Sequence, residues 1–176
     1  MIVFRHADPR LPFLWEDARQ PPGRWHGGGE GPAHYFSDTP DGAWAELLRH
    51  EEIRDPDDLA TLRRAIWAVE IPDQEPAATP DLEPDIALGG PATYGRCREA
   101  ARALRARGVT RLEAPAAALV AGGAHGHRVD AGLRTGSPRN ARTIVLYGRR
   151  PSLVGWRAVH EGRPSDELLP RVRHFD

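Results

Sequence analysis

Apolar and polar positions alternate at the start of the chain. In MIVFRHA, Ile2 and Phe4 stand against their neighbours, which predicts a first β-strand. A proline-rich loop follows, through Pro9, Pro12, Pro21 and Pro22. AHYFS, residues 33–37, reads as a short aromatic strand. The period then changes. In SDTPDGAWAELLRHEEI, Ala43, Trp44, Leu47 and Leu48 recur at helical spacing and form one apolar face, with Glu46 near its edge. Thr39 suits the N-cap, Pro40 the first turn and Asp41 the positive end of the helix dipole. RDPDDLATLRRA repeats that start signal with Asp55 and Pro56, and IWAVEI reads as a strand.

Residues 72–91 hold five prolines and no periodic pattern, which predicts a long surface loop. A second amphipathic helix runs from Thr93 to Arg107, with Tyr94, Cys97, Ala101 and Leu104 inward and Gly108 as its stop. VTRLEAP reads as a strand and residues 121–140 as a loop. TIVLYG and LVGWRAVH read as strands joined in a hairpin through RRPS. Strands interleaved with helices and ending in a hairpin predict an α+β domain and not a doubly wound sheet. No internal repeat is visible, and 176 residues suit a single domain over 1–176.

Composition narrows the chemistry. Hydrophobic residues make up 40% and charged residues 28%, a globular balance. The formal net charge of −1 gives no overall basic excess of the kind nucleic-acid binding calls for. All 24 basic residues are Arg, which excludes a Schiff-base lysine and a P-loop lysine. A single cysteine, Cys97, excludes an intrachain disulfide and a cysteine-based zinc site. His125 and His127 are too few for a metal centre and lack an acidic partner at a telling spacing, so no metal is expected. The first ten residues carry no basic segment followed by an apolar one, and no window approaches the ~20 apolar residues of a membrane span, so the expected location is the cytoplasm.

Three features remain as candidate sites. GRWHGGGEGPAHYF, residues 23–36, crowds one Arg, two His and three aromatics around its glycines. GGGEG lacks the spacing of a dinucleotide fingerprint; it reads as a flexible loop, or as one that closes over a ligand. Arg98, Arg102 and Arg105 share a helix face, flanked by Arg96 and Arg107, and read as a solvated face or a docking face. Arg5 ends the first predicted strand, Arg24 sits in a Gly/Pro loop, Tyr35 lies on the next strand and Glu46 edges the buried stripe of the helix, positions from which side chains can converge on one cleft.

The run Arg5, GRWH and AHYFSDTPDGAWAELLRH resembles the RES domain, a family named for its Arg, Glu and Ser signatures. Tyr35 stands eleven residues before Glu46, Arg24 stands eleven before Tyr35, and Ala43 and His50 flank Glu46 as in the family pattern. RALRARGVTRLEAPAAALV and IVLYGRRPSLVGWRAV resemble its later segments. Two positions depart: His26 replaces the Asn that usually follows the Trp, and Ala116 stands where the Ser of a Pro-Ser-Ala element is expected.

The resemblance implies an ADP-ribosyltransferase-like mixed sheet with flanking helices. It also implies a toxin of a bacterial toxin–antitoxin pair that depletes NAD by hydrolysis or phosphorolysis of the nicotinamide–ribose bond. Its partner would be an antitoxin with a helix-turn-helix part of Xre type; neither direct nucleic-acid binding nor a membrane is implied, and a homo-oligomer is left open. Glu46, Tyr35 and Arg24 then become the expected catalytic residues, and Arg5, Arg24, Tyr35 and Ala116 the expected NAD-binding positions. Arg suits pyrophosphate because its planar fork bonds bidentately and stays charged. Tyr35 offers a flat face and a hydroxyl. Glu46 offers a fixed carboxylate for the positive charge that develops on ribose as nicotinamide leaves. Two other readings stand beside this one: a mono-ADP-ribosyltransferase acting on a protein, and a catalytically silent binding module, motivated by Ala116.

Overall fold

The computed structural model describes residues 1–17 and 19–175. Among these residues the strands are β1 (Ile2–Ala7), β2 (Ala33–Ser37), β3 (Arg64–Glu70), β4 (Ala77–Ala78), β5 (Arg111–Pro115), β6 (Ala124–Val129), β7 (Leu133–Arg139), β8 (Arg142–Tyr147) and β9 (Val154–Gly162). The helices are α1 (Pro40–His50), α2 (Pro56–Thr61), α3 (Pro84–Leu88) and α4 (Tyr94–Ala106). Seven strands form one sheet in the order β4-β5-β8-β2-β1-β3-β9. β4 and β5 run parallel and every other pair antiparallel, so the fold is the mixed α+β type that the pattern predicts.

Three expectations are corrected. RRPS does not close a hairpin: β8 lies inside the sheet between β5 and β2, while β9 pairs with β3 at the far edge. Residues 121–140 are not a loop but contain the antiparallel arm β6–β7, which stands apart from the main sheet. Residues 72–91 are not unstructured throughout; they carry β4 and α3.

Side-chain alternation divides the sheet into two faces. On one, Phe4 and Ile66 meet Trp44, Leu47 and Leu48 of α1, while Leu112, Val145 and Tyr147 meet Cys97, Ala101 and Leu104 of α4, with Trp25 buried among them. Each such fully buried Leu contributes about 1.5–3 kcal/mol. On the other face, Val3, Phe36, Val69, Ile144 and Leu146 are covered by Phe13 and Leu14 of the proline-rich loop. The two helices thus stand over different halves of one face, and a cleft opens between them.

α1 starts where its sequence says it should. The Thr39 hydroxyl accepts the Gly42 N–H at 3.0 Å, and Pro40 occupies the first turn. A Cβ on Gly42 would stand 2.0 Å from Ser37 Oγ, so only glycine lets this turn sit so close to the end of β2. Asp38, just ahead of the cap, is 3% exposed. It accepts the Arg142 N–H at 2.7 Å and pairs with Arg139 at 2.5 Å and Arg142 at 3.2 Å. These bonds aim the C-terminal half of α1, with Glu46, Arg49 and His50, at the cleft.

Candidate active site

The cleft has a volume of about 330 Å³. Arg5 of β1, Tyr35 of β2, Glu46 and Arg49 of α1, and Arg24 and Trp15 from the long β1–β2 connection all line it. A recess of about 180 Å³ shares Arg5, Tyr35, Glu46 and His50 with it and adds His6. The four residues picked out as convergent, Arg5, Arg24, Tyr35 and Glu46, therefore do meet in one place.

β1 opens the site. A single register pair, Phe4↔Ser37, holds β1 to β2, whereas six pairs hold β1 to β3. Arg5 follows that lone pair, with its guanidinium 5.9 Å from the Phe36 ring centre. Its Nη1 is buried with no hydrogen-bond partner among the described residues. Burial pushes its pKa down to about 10, which leaves it cationic at neutral pH. An unpartnered buried cation is costly unless something anionic completes it.

Arg24 is placed differently. Its Nη1 donates to Ala87 O at 3.1 Å and its Nη2 to Gly89 O at 2.7 Å, and its guanidinium stacks 4.6 Å from the Tyr94 ring centre. It fastens the segment after α3 to the cleft wall. Arg49, which no motif singles out in the sequence, donates to the same Gly89 O at 3.3 Å and to Ala117 O. Burial lowers its pKa, with the Arg24 charge adding to the shift. The carbonyl partners are neutral, so these bonds do not offset the charge of either arginine. Three guanidiniums against the one carboxylate of Glu46 leave a surplus of positive charge along the walls.

Tyr35 presents its ring, not its hydroxyl. The Tyr35 oxygen accepts the Trp25 N–H at 2.9 Å and lies 3.0 Å from His26 Nδ1. Burial lowers the His26 pKa, which favours the neutral ring beside the Tyr35 hydroxyl. Burial likewise raises the pKa of Tyr35, which stays a neutral phenol. Glu46 is half-buried, with its Oε2 3.6 Å from Nε2 of His50 one helical turn on. His6 lines the recess, but its Nδ1 is sealed and unpartnered. Burial first, then Arg5, Arg64 and His50, push its pKa down to about 3.

The glycine-rich segment divides in two. Residues 23–26 line the cleft, whereas residues 27–31 are tied to α4 through Glu30. Arg105 bonds Glu30 Oε2 at 2.9 Å and Glu30 O at 2.8 Å, and Arg98 bonds Gly23 O at 2.8 Å. Arg102 also reaches Glu30 Oε1, at 3.6 Å, so all three aligned arginines of α4 anchor the loop, while the flanking Arg96 and Arg107 are exposed.

The sequence matches the RES domain over residues 2–165. The chain belongs to the RES family. Its fold resembles a chain in the crystal structure of the M. tuberculosis MbcT–MbcA toxin–antitoxin complex, at a TM-score of 0.62 and 16% identity, over 96% of this chain and 86% of that one. At that identity the likeness is one of fold. No curated protein sequence matches.

One expectation for this RES domain is corrected by the geometry. Ala116 does not line the cleft. It packs in the core beneath α1 and borders a separate cavity of about 360 Å³. Ala117, one residue on and so on the opposite side of the chain, is the one that lines the RES cleft. Among the described residues no group of three His, Cys, Asp or Glu could hold a metal ion, and no helix is long and apolar enough to cross a membrane.

Proposed function

We propose that this RES domain cleaves the nicotinamide–ribose bond of NAD, and that it acts in the cytoplasm as a toxin restrained by an antitoxin of helix-turn-helix type. One observation carries the reading of the site. Arg5 is a buried cation with an unpartnered Nη1, and it opens into the same cleft as the Tyr35 ring and the Glu46 carboxylate. A dinucleotide supplies what each lacks. Its pyrophosphate matches the positive surplus of Arg5, Arg24 and Arg49, and a planar base matches the Tyr35 ring. As nicotinamide departs with the bonding electron pair, positive charge grows on the ribose. Glu46 is the group to stabilise it, and also to orient the acceptor through the ribose hydroxyls. Water as acceptor yields ADP-ribose and a proton; phosphate yields ADP-ribose 1″-phosphate. Support for the toxin role comes from family membership and from the fold likeness to a chain of a toxin–antitoxin complex.

The test is expression without a partner protein. The wild-type chain should arrest growth while cellular NAD falls, and the purified chain should release nicotinamide from NAD. Products formed with and without phosphate then name the acceptor. Normal growth with unchanged NAD at full expression would sink the proposal.

A further inference from the structure

Trp15 is 54% exposed. An exposed indole is ordinary on a mobile loop, but this one is clamped. The Trp15 carbonyl accepts from the Gln20 side chain, whose Oε1 in turn accepts the Ala33 N–H of β2 at 2.9 Å. The adjacent Glu16 carboxylate accepts the Arg150 N–H and lies 3.9 Å from His34. The backbone is thus fastened on both sides while a large apolar ring faces water at a cavity mouth. Such an arrangement withholds hydrophobic burial that the ring would gain on being covered.

The cavities are ordered along the cleft. The recess that contains Glu46 and Tyr35 does not reach Trp15. A second cavity, of about 450 Å³, sets Leu11, Pro12, Leu14 and Trp15 beside the charged Asp8, Glu51 and Arg64, and reaches neither Glu46 nor Tyr35. Arg5 and His6 are common to both, and the main cleft, which shares Arg5 with each, joins them. The sequence in space is therefore carboxylate and Tyr ring, then unpartnered cation, then a larger chamber with an exposed indole at its mouth. A dinucleotide has the same order: reacting ribose and base, then pyrophosphate, then a second nucleoside.

We infer that Trp15 is the stacking platform for the adenine of the dinucleotide and sets the preference for a dinucleotide over a mononucleotide. The inference rests on the reading of the cleft as an NAD site. Aromatic rings bind bases through their faces with little dependence on base identity, and their removal weakens binding by about tenfold per base. The small recess takes nicotinamide and its ribose; the larger chamber takes adenosine.

Equilibrium binding tests this without turnover. Adenosine monophosphate and nicotinamide mononucleotide are titrated into the full chain and into its Trp15→Ala and Trp15→Phe variants. Trp15→Ala should weaken adenosine monophosphate about tenfold, Trp15→Phe should restore most of the loss, and nicotinamide mononucleotide should bind all three alike, which also reports an intact cleft. No binding of adenosine monophosphate to the wild type, equal affinity in all three chains, or equal losses for both probes would overturn the platform. The last two are the results expected if Trp15 instead covers a protein partner or merely supports the loop. NAD turnover by the wild type is read separately. Loss specific to adenosine monophosphate without any turnover would leave the platform standing and remove the proposed reaction; turnover without that loss would do the reverse.

Discussion

Gly23→Ala is the smallest perturbation that reaches the proposed chemistry. A Cβ at residue 23 would stand 2.6 Å from the Tyr35 oxygen, 3.0 Å from its Cζ and 3.1 Å from His26 Cε1. Ordinary van der Waals contact begins at 3.4 Å, so the phenol must retreat by roughly 0.8 Å or the loop must lift by as much. Either movement strains both hydrogen bonds of the Tyr35 hydroxyl, to Trp25 and to His26. At about 0.5–1.5 kcal/mol each, their loss costs about 1–3 kcal/mol of stability. The effect on rate is the larger one, because a displacement of about 1 Å in a positioned group costs on the order of 100-fold. Gly28 is the control: a Cβ there meets nothing within 4 Å. The assay pairs thermal unfolding with nicotinamide release from NAD. The expected result is a midpoint lowered by several degrees and turnover lowered about 100-fold in Gly23→Ala, with Gly28→Ala like wild type. Wild-type turnover in Gly23→Ala, or equal damage from both substitutions, would refute the placement of Tyr35.

Other expectations follow from the same geometry. His6 has a native pKa of about 3 against an ordinary 6.5, so below pH 6.5 the unfolded chain binds a proton that the native chain does not; stability should therefore fall as pH drops from 6.5 toward 3, by about 2 kcal/mol from this residue at pH 5. Denaturant midpoints against pH measure the slope, which His6→Asn should flatten. Asp38→Ala removes the acceptor shared by Arg139 and Arg142; urea unfolding should show a loss of about 2 kcal/mol, at the low end for a buried carboxylate because both arginines are half in water. Ala116→Ser should change NAD turnover by less than about threefold, since its hydroxyl would face the neighbouring cavity; a gain above about tenfold would show that residue 116 acts on the cleft and would revive the silent-module reading.

Elements whose signals are local were legible in the sequence. Thr39 with Pro40 and Asp55 with Pro56 mark the starts of α1 and α2, and the inward stripe of Cys97, Ala101 and Leu104 marks α4. The arm β6–β7 was not legible, because a two-stranded ribbon that is buried only at its base, at Ala124, needs no apolar alternation along its length. Val129 on it is 86% exposed and its neighbours are His, Arg and Gly. α3, five residues long, is too short to display a helical period. The expected hairpin at RRPS failed for another reason: turn residues report a local reversal, not which strand the chain joins next, and β9 crosses to the far edge of the sheet. At the site, Arg5, Arg24, Tyr35 and Glu46 were legible through motif spacing. Arg49 and Trp15 were not, since a last-turn arginine and a loop tryptophan look ordinary until the fold brings both to one cleft.

The most direct measurement is nicotinamide release from NAD by purified wild-type chain and by Glu46→Gln, at matched concentration and with folding of each checked by circular dichroism. Glu46→Gln keeps the shape of the side chain and removes its charge. The account predicts release by the wild type and a fall of about 100- to 1,000-fold in the variant, the range for removing one group that stabilises transition-state charge. Equal release by the two chains, or none by the wild type, would contradict it.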